Sequence, residues 1–138
     1  MNYNFDMDGT IADFYGVNGW IDYLNNEDTT PYEIAKPLVN MTRLARALNK
    51  ASRRGDRIVI ISWTSKNATA EYAEAIAQAK RKWLARHLPS VQWDEIHIVA
   101  YGTPKHTIGN GILFDDEIGN RKAWGMGGHT PEEIFDLL

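Results

Sequence analysis

The stretch Asp6-Met7-Asp8-Gly9-Thr10 constrains this chain more than any other. An apolar lead-in, Tyr3 and Phe5, predicts a short strand running into it. An extended backbone continued through it puts Asp6 and Asp8 on one side. Two carboxylates pressed together at a strand end repel each other unless a cation or a shared proton neutralises them. Hard divalent cations such as Mg2+ prefer oxygen ligands of this type. Taken alone the stretch also reads as a turn, because Asp-Gly is a common turn pair.

Three downstream features change that balance. Ser62, with Thr64 two residues on, follows the apolar run Ile58-Val59-Ile60-Ile61. Lys105, in Gly102-Thr103-Pro104-Lys105, follows Ile96-His97-Ile98-Val99-Ala100. A second acidic pair, Asp115-Asp116, follows Ile112-Leu113-Phe114. Each polar group sits just past the end of a candidate buried strand, where open α/β sheets form their ligand sites.

Between these strands the spacing predicts helices. Met41, Leu44, Ala45 and Leu48 recur at i, i+3, i+4 and i+7, with Gly55 marking the end. Tyr72, Ile76, Ala79 and Trp83 form one stripe of a helix over 67–88, stopped by Pro89. Short helices are expected at Trp20 to Asn25 and Pro31 to Lys36, and a last one from Thr130-Pro131-Glu132-Glu133, which reads as a cap followed by a first turn. Strands alternating with helices predict a doubly wound, Rossmann-like parallel sheet flanked by helices. A chain of 138 residues suits one domain over 1–138.

Fifteen basic against 18 acidic residues give a net charge of −3, which does not favour nonspecific nucleic-acid binding. Without cysteine there are no disulfides and no thiolate metal sites, in keeping with a reducing cytoplasm. No basic leader precedes an apolar segment at the N-terminus, and no apolar run approaches the roughly 18 residues a membrane span needs. A soluble, cytoplasmic protein is expected. His87, His97, His106 and His129 lack metal-ligand spacing. The run Lys80-Arg81-Lys82 reads as a solvated helix face; Asn120 and Arg121, close behind the acidic pair, read as surface residues or else as supports of the site.

Asp6-Met7-Asp8-Gly9-Thr10 with Ile11-Ala12-Asp13, Ser62, Lys105 and Asp115-Asp116 match, in order, the four motifs of the haloacid dehalogenase-like superfamily of phosphohydrolases. The chain resembles that superfamily from Asn2 to about Asp116, and in particular its compact 5′(3′)-deoxyribonucleotidase-like members. The resemblance implies an HAD-like fold and a phosphoric monoester hydrolase. Asp6 becomes the nucleophile, forming an aspartyl-phosphate, and Asp8 the general acid/base. Mg2+ is implied on the side chains of Asp6 and Asp115 and the main-chain carbonyl of Asp8, with Asp116 behind it orienting Lys105 or a metal-bound water. Ser62, or else Thr64, donates to a phosphoryl oxygen, and Lys105 faces the developing charge. Gly9 admits the phosphate closely, with the Gly9 and Thr10 amides as donors.

The superfamily carries specificity in inserted caps. Here only about 14–40 remains for a flap or minimal cap. Phe14, Tyr15, Trp20 and Tyr23 in that segment either stack a nucleobase or form the flap's own core, and Trp63 is a further stacking candidate. The leading expectation is a Mg2+-dependent hydrolase of a small phosphorylated substrate, a nucleotide, with homo-oligomerisation left open. Alternatives are a 3′-phosphatase of nucleic-acid ends and a phosphate-recognising regulatory protein without turnover.

Overall fold

The structure is a computed structural model describing all residues, Met1–Leu138. Its elements run β1 (Asn2–Phe5), β2 (Ala12–Asp13), α1 (Trp20–Asn25), α2 (Thr30–Ile34), β3 (Lys36–Pro37), α3 (Met41–Arg53), β4 (Arg57–Trp63), α4 (Ala70–His87), β5 (Glu95–Val99), β6 (Ile112–Phe114), α5 (Ile118–Trp124), β7 (Gly128–His129) and α6 (Ile134–Leu137). No helix is long and apolar enough to cross a membrane.

Five strands form one parallel sheet in the order β5-β4-β1-β6-β7, flanked by helices: the expected Rossmann-like fold. β1 is central, with Phe5 in register with both Ile60 of β4 and Phe114 of β6. Asp6 therefore leaves the sheet beside Asp115, and its N–H donates to the Phe114 carbonyl at 3.0 Å. Tyr3, Phe5, Ile58 and Ile60 pack with Leu44, Leu48 and Ala51 of α3 and with Trp83 and Leu84 of α4.

The helices start where side chains can replace missing backbone partners. Asn40 accepts from the Arg43 amide at the head of α3, and Thr69 accepts from the Tyr72 amide at the head of α4. The expected α4 stripe Tyr72, Ile76, Ala79 and Trp83 is buried throughout.

Segment 14–40 is tied at its base by antiparallel pairing of β2 with β3, Ala12 opposite Pro37 and Asp13 opposite Lys36. Phe14 and Tyr32 leave that base and pack on Tyr72, Ile76 and Ala79 of α4. The Tyr72 hydroxyl donates to the Asp28 carbonyl at 2.8 Å, pinning the far side. The segment is thus a flap docked on α4.

The C-terminal region departs from expectation. α5 and β7 were not foreseen, and the last helix is a 3₁₀ turn, Pro131–Glu133, leading into the single turn α6. Thr130 makes no side-chain cap there, and Glu133 instead pairs with His129.

Candidate active site

β1 ends at Phe5, so Asp6 and Asp8 are not consecutive residues of one strand face. The chain curls back at once. The Met7 carbonyl accepts from the amides of Thr10, Ile11 and Ala12 at 3.1, 3.0 and 2.9 Å, and the Gly9 amide donates to the Ala12 carbonyl at 2.8 Å. The Gly9 and Thr10 amides are therefore used inside the loop and do not serve as phosphate donors. The amides left without an acceptor in the chain are those of Met7 and Asp8. Gly9 is required on other grounds: its φ is +79°, and a Cβ there would collide with the Asp116 carboxylate.

The two carboxylates go to two different lysines. Lys105 Nζ lies 2.8 Å from Asp6 Oδ1 and 2.8 Å from Asp115 Oδ2, and is almost wholly buried. Burial alone would depress its ammonium, but the charges of Asp6 and Asp115 outweigh that and raise it above the usual lysine value. Lys80 Nζ lies 2.9 Å from Asp8 Oδ2. Far from being solvated, Lys80 is 1% exposed, and it also donates to Ser62 Oγ and the Trp63 carbonyl, each at 2.7 Å. Burial pushes the Asp8 carboxyl above the ordinary carboxylate range; Lys80 opposes that shift and Asp6 adds to it.

Ser62 falls inside β4 and is fully buried beneath the cleft, its hydroxyl occupied by Lys80. Thr64 lines the cleft wall. The geometry thus favours Thr64 over Ser62 as the hydroxyl within reach of a bound phosphoryl group. Thr10 braces the site and does not face it. Its buried Oγ1 donates to Asp6 Oδ2 at 3.1 Å and accepts from the Asp116 amide at 3.2 Å.

Asp6, Asp115 and Asp116 each offer a carboxylate oxygen, all within 4.8 Å of one another. Asp116 is expected behind the metal, orienting Lys105 or a metal-bound water. It stands in the carboxylate cluster itself, and Lys105 is held by Asp6 and Asp115. Asp8 contributes no carboxylate to the cluster, consistent with a part for its main-chain carbonyl alone. Burial, reinforced by the charge of Asp6, pushes Asp116 up to about 8, and Asp115 moves the same way for the same causes. Crowded oxygen donors that resist ionising together fit a hard divalent cation. Of the two expectations for Asn120 and Arg121, a surface place or support of the site, the contacts favour the second: Asn120 Nδ2 donates to Asp115 Oδ2 at 3.0 Å and an Arg121 guanidinium N–H to the Asp115 carbonyl at 2.9 Å.

Above this floor opens a cleft of about 250 Å³. On the flap side Tyr15 and Trp20 meet edge-on at 5.3 Å. On the opposite side Trp63 and Tyr101 lie 5.0 Å apart, with Trp63 Nε1 fixed on the Thr103 carbonyl at 2.8 Å. Tyr101 and Tyr15 are about half exposed, at 51% and 48%. Phe14 and Tyr32 belong to the flap's core and also show an edge to the cleft, Tyr15 and Trp20 line it, Trp20 packing on that core as well, and Tyr23 does not reach it.

The arrangement defines a class, the haloacid dehalogenase-like phosphohydrolases. A family model described as 5′ nucleotidase, deoxy (pyrimidine), cytosolic type C protein matches residues 29–126, and the chain belongs to that family. It is a phosphoric monoester hydrolase. The match spans Ser62, Lys105 and Asp115, while Asp6 and Asp8 lie ahead of it. Among solved structures, the chain is similar to D,D-heptose 1,7-bisphosphate phosphatase from Burkholderia thailandensis. The TM-score is 0.55 at 14% identity, covering 91% of this chain and 72% of that one, a likeness of fold. No curated protein matches significantly.

Proposed function

We propose that this chain is a Mg2+-dependent cytosolic nucleotidase that frees phosphate from a nucleoside monophosphate through an aspartyl-phosphate on Asp6. The observation that carries this reading is the Lys105 bridge between Asp6 and Asp115 at the floor of an aromatic-walled cleft. Lys105 sets its ammonium directly against the buried Asp6 carboxylate at 2.8 Å, placing positive charge where the nucleophile and the phosphoryl group must meet.

In the first step an Asp6 carboxylate oxygen bonds to phosphorus and the ester P–O bond breaks, while Asp8 gives its proton to the departing oxygen. In the second, a water oxygen bonds to phosphorus, Asp8 takes the water proton, and the bond between phosphorus and Asp6 breaks to release phosphate. Burial favours the protonated Asp8 that the first step needs. Thr64 Oγ1, Lys105 Nζ and the amides of Met7 and Asp8 are the donors available to the phosphoryl oxygens. Mg2+ held by Asp6, Asp115 and Asp116 would screen the repulsion between an anionic nucleophile and an anionic ester.

The description of the family points to pyrimidine deoxynucleotides. Two aromatic pairs facing one cleft above the phosphate floor support a planar base as the leaving group's far end. The test is a phosphate-release screen over deoxy- and ribonucleoside monophosphates, sugar phosphates and 3′-phosphorylated oligonucleotides, with Mg2+ and after chelation. Nucleoside 5′-monophosphates should lead, and chelation should silence all. Full activity without metal, or a preference for sugar phosphates or oligonucleotide ends, would sink the proposal.

A further inference from the structure

Lys80 is the buried cation to which the steps above assign no task. It lies midway along α4, four residues after Ile76 and three before Trp83, on the stripe that faces the core. An apolar side chain would fill that place without the cost of burying an ammonium. All three of its N–H donors are used, on Asp8 Oδ2, Ser62 Oγ and the Trp63 carbonyl. Two of these acceptors belong to β4, a strand covered by β1 on one side and β5 on the other. They hold the ammonium still, so the third donor aims at one place, Asp8 Oδ2. Oδ1 of the same carboxylate has no partner in the chain, and Asp8 lines the cleft. Lys105 meanwhile binds Asp6 and Asp115 and makes no hydrogen bond to Asp8.

We propose that Lys80 is a positioning residue: braced on Ser62 and the Trp63 carbonyl, it holds Asp8 by Oδ2 so that Oδ1 faces the ester oxygen to be protonated. It also draws Asp8 away from the carboxylate cluster around Asp6. Lys80 touches no reacting atom and acts through Asp8, so this inference rests on Asp8 being the general acid/base. The hydroxyl of Ser62 accordingly serves Lys80, not the phosphate.

Proton delivery matters for a poor leaving group and little for a good one, which separates this role from a merely structural one. The measurement is leaving-group release in the first turnover, for thymidine 5′-monophosphate (an alkoxide leaving group) and for p-nitrophenyl phosphate (a phenolate that departs unaided). Lys80→Met and Lys80→Gln are compared with wild type and with Asp8→Asn, after folding is verified by circular dichroism. Lys80→Met should slow the nucleotide at least about tenfold and the aryl ester by no more than about threefold, with KM for both little changed. Lys80→Gln, which can still donate one N–H to Asp8, should fall between Lys80→Met and wild type.

If Asp8→Asn itself fails to discriminate between the two esters, the acid/base reading of Asp8 is wrong and the role of Lys80 falls with it. If Asp8→Asn discriminates but the Lys80 variants slow both esters alike, or neither, only the Lys80 proposal is overturned. Should neither Lys80 variant fold, Ser62→Ala carries the test. Loss of that brace should slow the nucleotide several-fold more than the aryl ester, and equal rates overturn the proposal.

Discussion

Lys105 Nζ stands 2.8 Å from Asp6 Oδ1, and equally far from Asp115 Oδ2 on the other side, so one buried ammonium serves two carboxylates delivered by two different strands. The arrangement follows from the register: Phe5 and Phe114 pair across β1 and β6, and each is followed by its aspartate. Removing the ammonium leaves two buried charges facing each other. Lys105→Met should therefore cost about 3–5 kcal/mol of stability in chelated buffer, the usual penalty for breaking a buried ion pair from one side. Mg2+ should restore part of that loss by supplying positive charge at the same place. Denaturant titrations with and without Mg2+ check both parts, and an unchanged midpoint in chelator would show that Lys105 does not neutralise the pair.

Asp6→Asn should abolish turnover of every phosphomonoester while leaving the fold intact, because an amide cannot form the acyl phosphate. The one amide oxygen can still accept from Lys105, while the amide NH2 donates to Thr10 Oγ1 and the Thr10 hydroxyl turns to Asp116 Oδ1, so the melting temperature should move little. Residual activity near wild type in a preparation shown by mass spectrometry to be undeamidated would remove Asp6 from the nucleophile role.

Much of this site was legible because each strand announces itself as an unbroken apolar run with its polar group at the end. What escaped has particular causes. Lys80 sits in a basic run, Lys80-Arg81-Lys82, that looks solvated, yet its spacing from Ile76 and Trp83 already places it on the buried stripe. A charge on a core-facing helix position was the signal, and the run concealed it. Ser62 and Thr64 lie on the same face of an extended chain, so alternation could not separate them. The deciding fact is that β4 extends to Trp63, which leaves Ser62 under the cleft and Thr64 at its wall. α5 buries no side chain and β7 is two residues long, so neither leaves a periodic trace. The first motif's acidic pair is visible in the sequence, but the backbone curl that turns the Gly9 and Thr10 amides into the loop, and the Thr10 hydroxyl toward Asp6, leaves no trace in residue type.

The crowded carboxylates give a pH dependence whose sign can be worked out. The ordinary value for Asp116 is 3.8, and the folded protein raises it to about 8, chiefly by burial and then by the charge of Asp6. Across that window the folded chain retains a proton that the unfolded chain has released. Its contribution to stability is thus fully present below about pH 4 and is lost as pH rises toward 8. Asp115, shifted in the same direction, adds to the trend. Metal-free protein should lose stability from this cluster as pH rises through that range. Mg2+ should stabilise progressively more over the same interval, because it competes with the protons for the same oxygens. Melting temperatures at pH 5, 6, 7 and 8, with and without Mg2+, test this. A Mg2+ effect that is flat or largest at pH 5 would contradict it. Asp115→Ala should need far more Mg2+ for the same increment.

The last expectation concerns selection of the substrate by a site with so little cover. Tyr15 and Trp20 come from the flap, and Trp63 and Tyr101 from the ends of β4 and β5, so two independent parts of the chain face one cleft. Their roles need not be equal. Trp20 also packs against Phe14, at 5.4 Å, and thus supports the flap, whereas Tyr101 is half exposed and its only ring neighbour is Trp63. Losing a ring that stacks on a base forfeits roughly 1–3 kcal/mol. Tyr101→Ala should therefore raise KM for a nucleotide about ten- to a hundredfold while leaving p-nitrophenyl phosphate within about twofold. Trp20→Ala should raise the nucleotide KM comparably and also lower the melting temperature, because it removes part of the flap's packing. Tyr23→Ala, outside the cleft, should change neither substrate. Equal effects of Tyr101→Ala on the two substrates, or none on either, would mean that this aromatic wall does not hold the base.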